Sequence, residues 1–355
     1  MSRFLSERFA ELNPYTPGEQ PRDQQYVKLN TNESPFPPSP KVIEAINSEE
    51  VKKLNLYPDP TANALTKKLA EFYGVDKKNV ILSNGSDDIL NFSFMAFCDK
   101  DNGAVFPEIS YGFYEVFAHL DGIKYKKIPL KNDFSIHAPD YYNADGMVVI
   151  ANPNAPTGLA LSPEQIEGIV KANPNRVVLI DEAYVDFGAE SVVELTKRYD
   201  NLLVVGTYSK SRSLAGARLG FAIGNEELIA DLNTIKFSTN PYDINRLTQA
   251  AGIAALEDAE YYKRCNEYTI KVREYTKAEL RRRGFEMTDS VANFIFVRSN
   301  KIKGWDYYFS LKKMGVLVRH FSSDKTKDYV RITIGTKEQM DELLKATDKI
   351  LGDLE

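Results

Sequence analysis

The chain has 355 residues, of which 43% are hydrophobic and 27% charged, proportions of an ordinary globular protein that exclude disorder along its whole length. Its 45 basic and 50 acidic residues leave a net charge of −5, which argues against nucleic acid as a partner, because a phosphate backbone needs a basic face. Two isolated cysteines, Cys98 and Cys265, and three scattered histidines offer neither a disulfide framework nor a metal cluster, so no metal is expected and the cytoplasm is the expected location. Met1–Ala10 carries Arg3, Glu7 and Arg8 without an apolar stretch and does not read as a secretory signal. Apolar runs such as Val177–Ile180 and Leu202–Val205 have strand length, so no membrane span is expected.

In chain order, the first forty residues are rich in proline and read as an ordered arm carrying Tyr15, Tyr26 and Phe36. Ser39-Pro40 predicts an N-cap and a first helical turn opening Lys41–Ile46. An amphipathic helix is predicted over 62–73, closed by Gly74, then a strand over 79–83 and a helix over 87–97. Strands follow over 103–106, 124–128 and 146–151. Ser162 and Gln165 form a capping-box pattern for a helix over 165–172. Further apolar strands are expected over 176–180, 202–207 and 219–223. Such runs, separated by helical segments, imply a mostly parallel sheet buried on both faces. Beyond 242 the pattern predicts one long helix over 257–283, strands over 292–297, 316–319 and 329–334, and helices over 305–314 and 337–351. The expected organisation is an α/β fold: an arm and part of a small domain over 1–45, a large domain over 46–245, and a smaller α+β domain over 246–355.

Chemistry in such sheets gathers at the carboxyl ends of the strands. Four predicted strand ends carry unusual residues. One runs into Asp181-Glu182-Ala183-Tyr184 and one into Tyr208-Ser209-Lys210-Ser211. One runs into Asn84-Gly85-Ser86-Asp87 at a helix start, a natural anion nest. One runs into Asn152-Pro153-Asn154-Ala155-Pro156-Thr157-Gly158. Singly, each reads as a loop acid, a solvated lysine, a plain N-cap or a tight turn. Together with Arg218 they form the set that pyridoxal 5′-phosphate needs: an amine for its aldehyde, a carboxylate for its ring nitrogen, and donors for its phosphate.

With Ala215-Gly216-Ala217-Arg218, Leu29-Asn30-Thr31-Asn32-Glu33-Ser34-Pro35, Leu56-Tyr57-Pro58-Asp59 and Val330-Arg331-Ile332-Thr333, these segments resemble the fold-type I pyridoxal-phosphate-dependent aminotransferases. More narrowly, they resemble the histidinol-phosphate aminotransferases, over essentially the whole chain. The resemblance implies that Lys210 carries the Schiff base and shuttles the proton between substrate Cα and cofactor C4′. Asp181 pairs with the pyridinium nitrogen, Tyr184 donates to the ring hydroxyl, and Tyr111 stacks on the ring. Ser86 and Asp87 (by their backbone), Thr207, Ser209 and Arg218 hold the phosphate. Tyr57 reaches it from the neighbouring subunit of a homodimer. The family's usual asparagine before Pro-Thr-Gly is Ala155 here; either Asn154 or Asn152 is the expected substitute, or Tyr184 acts alone. Tyr15, Asn32, Arg319 and Arg331 are the expected substrate contacts, Arg331 taking a carboxylate through two parallel hydrogen bonds, with Arg319 and Tyr15 sharing the substrate phosphate.

The implied reaction is transamination of L-histidinol phosphate, a phosphorylated amino alcohol, with 2-oxoglutarate, giving imidazole acetol phosphate and glutamate. An aromatic amino-acid aminotransferase or a threonine-phosphate decarboxylase on the same scaffold are the alternatives. A non-catalytic regulator is disfavoured by the intact Lys210. A nucleotide-binding dehydrogenase is disfavoured by the lack of an early Gly-x-Gly-x-x-Gly after a strand.

Overall fold

The computed structural model describes residues 5, 6, 9, 12–47 and 49–354; Arg3, Glu7 and Arg8, on which the reading of Met1–Ala10 rests, lie outside the described residues. The arm supplies β1 (Val27–Lys28) and α1 (Pro40–Ile46), with Ser39 capping α1 by accepting the Val42 N–H as its Ser-Pro sequence predicts. There follow α2 (Asn63–Tyr73), β2 (Val80–Ser83), α3 (Ser86–Phe97), β3 (Gly103–Pro107), α4 (Phe113–Asp121), β4 (Tyr125–Ile128) and β5 (Gly146–Ala151). Next come α5 (Pro163–Ala172), β6 (Val178–Asp181), β7 (Leu202–Thr207), β8 (Gly220–Gly224), α6 (Glu226–Thr239) and α7 (Arg246–Glu257).

Strands β2 to β8 form one seven-stranded sheet in the order β2-β8-β7-β6-β5-β3-β4. It is parallel except at β8, which runs antiparallel to both of its neighbours. Alternation splits its side chains between two cores. Val178, Ile180, Leu202 and Val204 face α2, α5 and α7, while Leu179, Leu203 and Val205 face α3, α4 and α6. Continuous apolar strands thus mean burial on both faces. The capping box of Ser162 and Gln165 is formed, and Gly74 closes α2 in the left-handed conformation.

The C-terminal part holds α8 (Ala259–Arg282), β9 (Phe285–Met287), β10 (Phe294–Ser299), α9 (Gly304–Lys313), β11 (Val316–Leu317), β12 (Arg319–His320), β13 (Tyr329–Thr333) and α10 (Lys337–Gly352). Strands β12-β13-β10-β9 make a second, antiparallel sheet, and β11 pairs in parallel with β1 of the arm. Their own core includes Leu29 from the arm beside Val272, Leu280, Ile295 and Ile332.

Several expectations change. The long helix expected over 257–283 is α8, which starts two residues later because Asp258 (φ −118°, ψ 36°) separates it from α7. Helices α4, α6 and α7 were not expected. The buried stripe of α6 is only Ile229, Leu232 and Lys236, so a lysine occupies the position that periodicity would assign to an apolar residue. The strand expected over 316–319 divides between β11 and β12, which join different sheets. Just beyond the boundary expected at 245/246, α7 packs on the core of the large sheet. Ala251, Ala254 and Ala255 of α7 pack there with Val42 of α1, small side chains allowing close approach.

Candidate active site

The ends of β2, β6 and β7 converge on a cavity of about 200 Å³. It is lined by Ser86, Asp87, Tyr111, Asp181, Tyr184, Thr207, Ser209, Lys210 and Arg218, together with Thr31, Glu33 and Ala155 among others. Nine of the expected cofactor residues therefore meet in one place, although they span more than a third of the chain. The β6 and β7 loops leave adjacent strands, which brings Asp181 and Lys210 to the same opening.

Asp181 is 4% exposed; its carboxylate accepts hydrogen bonds from Tyr114 Oη (2.9 Å) and the Ala183 N–H (3.1 Å). Burial pushes its pKa up to about 6 against the pull of those donors. A buried carboxylate in that condition gains from a cation placed opposite it. Lys210 Nζ donates to the Thr31 carbonyl (3.3 Å) and lies 5.9 Å from the centre of the Tyr184 ring. Tyr184 Oη accepts from Asn32 Nδ2 (3.0 Å). Asn32 is itself buried and held by Thr333 and Asn293, with φ of 57° in the left-handed region that asparagine tolerates.

At the anion nest, Gly85 is the N-cap of α3 and offers no side chain to its first N–H groups. A Cβ on Gly85 would lie 2.5 Å from Arg218 Nη2, and one on Gly220 would lie 2.2 Å from the Ser86 nitrogen. Glycine is required at both positions for the backbone and Arg218 to crowd around one anion-sized space. Arg218 Nη2 donates to Asp87 Oδ2 (2.8 Å), and Tyr111 Oη donates to Asp87 Oδ1 (2.8 Å). The Asp87 side chain, and not only its backbone, thus orders the nest. Thr207 Oγ1 and Ser209 Oγ are hydrogen-bonded at 3.0 Å. A buried carboxylate, a lysine and an open helix N-terminus with arginine and hydroxyls fit pyridoxal phosphate's ring nitrogen, aldehyde and phosphate respectively.

Asn154 does not join them. It is 1% exposed, and its amide is used on the Ile109 carbonyl, Thr157 and Ser110, bracing the turn. Asn152 is likewise closed on the backbone of Leu161. The position at the cavity is Ala155, and Asn32 rather than either asparagine engages Tyr184. Tyr114 was not expected; it stands in the first turn of α4, three residues after Tyr111, and that nearness in sequence was the signal that could have found it.

Tyr57 does not line this cavity. It is 79% exposed, stacked on Tyr242 with ring centres 4.6 Å apart. The expected substrate residues also lie outside the innermost cavity. Tyr15 stacks on Phe113 (4.2 Å) and lies 6.2 Å from Tyr111. Arg319 and Arg331 face each other across β12 and β13. Arg319 reaches the carbonyls of Thr16 and Pro17 at 3.4 Å. Arg331 donates to the Asn30 carbonyl (2.9 Å) and lies over Phe294, whose edge meets Tyr184. Among the described residues its buried Nε has no partner, and desolvation lowers its pKa, so it stands ready for an anion.

A seven-stranded, mainly parallel sheet with lysine, acid and phosphate nest at its strand ends defines a fold-type I, pyridoxal-phosphate-dependent aminotransferase. The family profile for aminotransferase class I and II matches residues 24–346. Over 96% of the chain and 97% of the relative, the sequence is 52% identical to the histidinol-phosphate aminotransferase of Brachyspira hyodysenteriae. It is 47% identical to that of Clostridium botulinum (strain Okra / Type B1) over the full length of both. The crystal structure of the histidinol-phosphate aminotransferase from Clostridium acetobutylicum superposes with a TM-score of 0.85 at 25% identity, covering 92% of this chain and 99% of that one. The chain belongs to the histidinol-phosphate aminotransferases of the class I and II aminotransferase family. No helix among the described residues is long and apolar enough to cross a membrane.

Proposed function

We propose that the chain transfers the amino group of L-histidinol phosphate to 2-oxoglutarate, a step of histidine biosynthesis, in the cytoplasm. The observation that carries this reading is Lys210 and Asp181 in one cavity, with the half-buried Arg331, its Nε unpartnered, a single ring away from Tyr184. Bound pyridoxal phosphate supplies the aldehyde that takes the amino group and the ring that accepts the electron pair left at Cα.

The protein's own residues do the rest. Asp181, fixed by Tyr114 and the Ala183 N–H, holds the ring nitrogen in its charged form. Tyr184, oriented by Asn32, donates to the ring hydroxyl in place of the asparagine that Ala155 replaces. Tyr111, anchored through Asp87, covers one face of the ring. Ser86, Asp87, Thr207, Ser209 and Arg218 take the phosphate. Lys210 Nζ is the base at the substrate Cα, and the cation Arg218, which lines the same cavity, is paired with Asp87. Arg331 grips the glutamate carboxylate; Arg319 and Tyr15 take the substrate phosphate. In a homodimer, the exposed segment Leu54, Leu56 and Tyr57 (56%, 57% and 79% exposed) packs on the second copy and delivers Tyr57 to its phosphate site. On this reading the catalytic domain spans the large sheet with α1 and α7, and the small domain begins within α8.

Steady-state kinetics with histidinol phosphate against phenylalanine, each with 2-oxoglutarate, test the assignment. Histidinol phosphate is expected to give the higher kcat/KM, and a dominant rate with phenylalanine overturns it.

A further inference from the structure

Beneath the anion nest lies a buried ion pair that the reaction does not use. Lys236, near the end of α6, places Nζ 3.0 Å from Asp243 Oδ1 and 2.8 Å from the Leu82 carbonyl. The two side chains are only 4% and 2% exposed. Burial pushes the Asp243 carboxyl above its usual range against the pull of Lys236 and of the backbone N–H groups of Asn84 and Ile244 that it faces, and among the described residues its buried Oδ2 has no hydrogen-bond partner. The pair therefore grips the chain on both sides of Ser83, where β2 ends and the turn into α3 begins. That turn carries Gly85 and Ser86.

A buried ion pair of this kind is weak evidence for stability, since desolvation offsets most of its attraction. Its contacts point to a different use. We propose that Lys236 and Asp243 are positioning residues that set the β2–α3 turn for the cofactor phosphate. The inference rests on the cofactor site described above. The N–H groups of an anion nest act only while they converge on one point, and a shift of the turn spreads them. Asp181, Tyr184 and Lys210 stand on β6, β7 and their loops, out of contact with this pair, and hold the ring and aldehyde independently. Loss of the pair should therefore weaken recognition of the phosphate and spare recognition of the ring.

The comparison of pyridoxal phosphate with pyridoxal, which lacks the phosphate, isolates that effect. The full-length protein is freed of cofactor and titrated with each. Lys236→Met combined with Asp243→Asn removes both charges, and Asp243→Asn alone, isosteric, gives the same reading should the double variant not fold. The expected result is a Kd for pyridoxal phosphate raised about tenfold, with that for pyridoxal unchanged within about twofold, and partial recovery in Lys236→Arg. Equal weakening of both ligands, or no change in either, overturns the proposal. Failure of the unaltered protein to bind pyridoxal phosphate at all would instead overturn the cofactor site itself.

Discussion

The two halves of the proposed site are built differently. The cofactor half hangs on the ends of fully buried strands, where polar groups are paired with one another: Asp181 with Tyr114, Asp87 with Arg218 and Tyr111, Thr207 with Ser209. The substrate half is assembled from the N-terminal arm and the small sheet, which meet across some 300 residues of sequence through contacts such as Asn32 to Thr333 and Arg331 to the Asn30 carbonyl. There the donors are underused. Arg331 keeps a buried Nε without a partner, and Arg319 reaches its carbonyls only at 3.4 Å. A rigid half suits one permanent ligand. A half with spare donors suits two substrates that alternate, one bringing a carboxylate and the other a phosphate.

The largest effect should come from the rigid half. Lys210→Ala is expected to lower turnover by at least about a thousandfold with the melting temperature little changed, since among the described residues its ammonium makes no hydrogen bond but a 3.3 Å contact to the Thr31 carbonyl. Retained activity would break the contrast at its centre.

Next comes Asp181. Its folded pKa of about 6 lies above the unfolded carboxylate value of 3.8, so the folded state binds the proton more tightly. Stability is then highest at low pH and falls as pH rises between those two values, at a cost on the order of 3 kcal/mol in the cofactor-free protein. A pyridinium opposite the carboxylate relieves that cost. Pyridoxal phosphate should therefore raise the melting temperature more at about pH 7.5 than at about pH 5, and Asp181→Asn should erase the difference. A cofactor shift independent of pH in the unaltered protein would contradict this.

In the substrate half, Arg331→Gln should cut kcat/KM for glutamate about thirtyfold, roughly 2 kcal/mol, while leaving the Kd of pyridoxal phosphate unchanged. A matching loss of cofactor affinity would show that the two halves are not separable. The smallest effect is expected from Tyr57→Phe, about fivefold in the Kd of pyridoxal phosphate, roughly 1 kcal/mol for one hydrogen bond. Sedimentation should show the dimer intact in that variant; a monomeric, fully active protein would remove Tyr57 from the site.

Much of the cofactor half was legible because its signals are local. A continuous apolar run such as Val177–Ile180 marks a strand, the next residue is its carboxyl end, and Asp181 must then stand at the sheet's edge. Gly85 ahead of Ser86 likewise marks an open helix start within four residues. Asn154 misled because its position along the turn says nothing about which face its amide takes, and it turned inward to Ser110 and Ile109. The helix α6 escaped notice because Lys236, buried through a partner seven residues on, disguised its apolar stripe.

By itself, then, the amino-acid order determined which residue types sit at strand ends and helix starts, for hydrophobic periodicity and capping act over a few residues. Tertiary structure alone decided that Asn32 reaches Tyr184, that Arg331 keeps a spare buried donor, that α7 belongs to the large core and that Lys236 lies under the phosphate nest. Those facts depend on packing between segments distant in sequence, where burial and partner choice are settled by the whole fold.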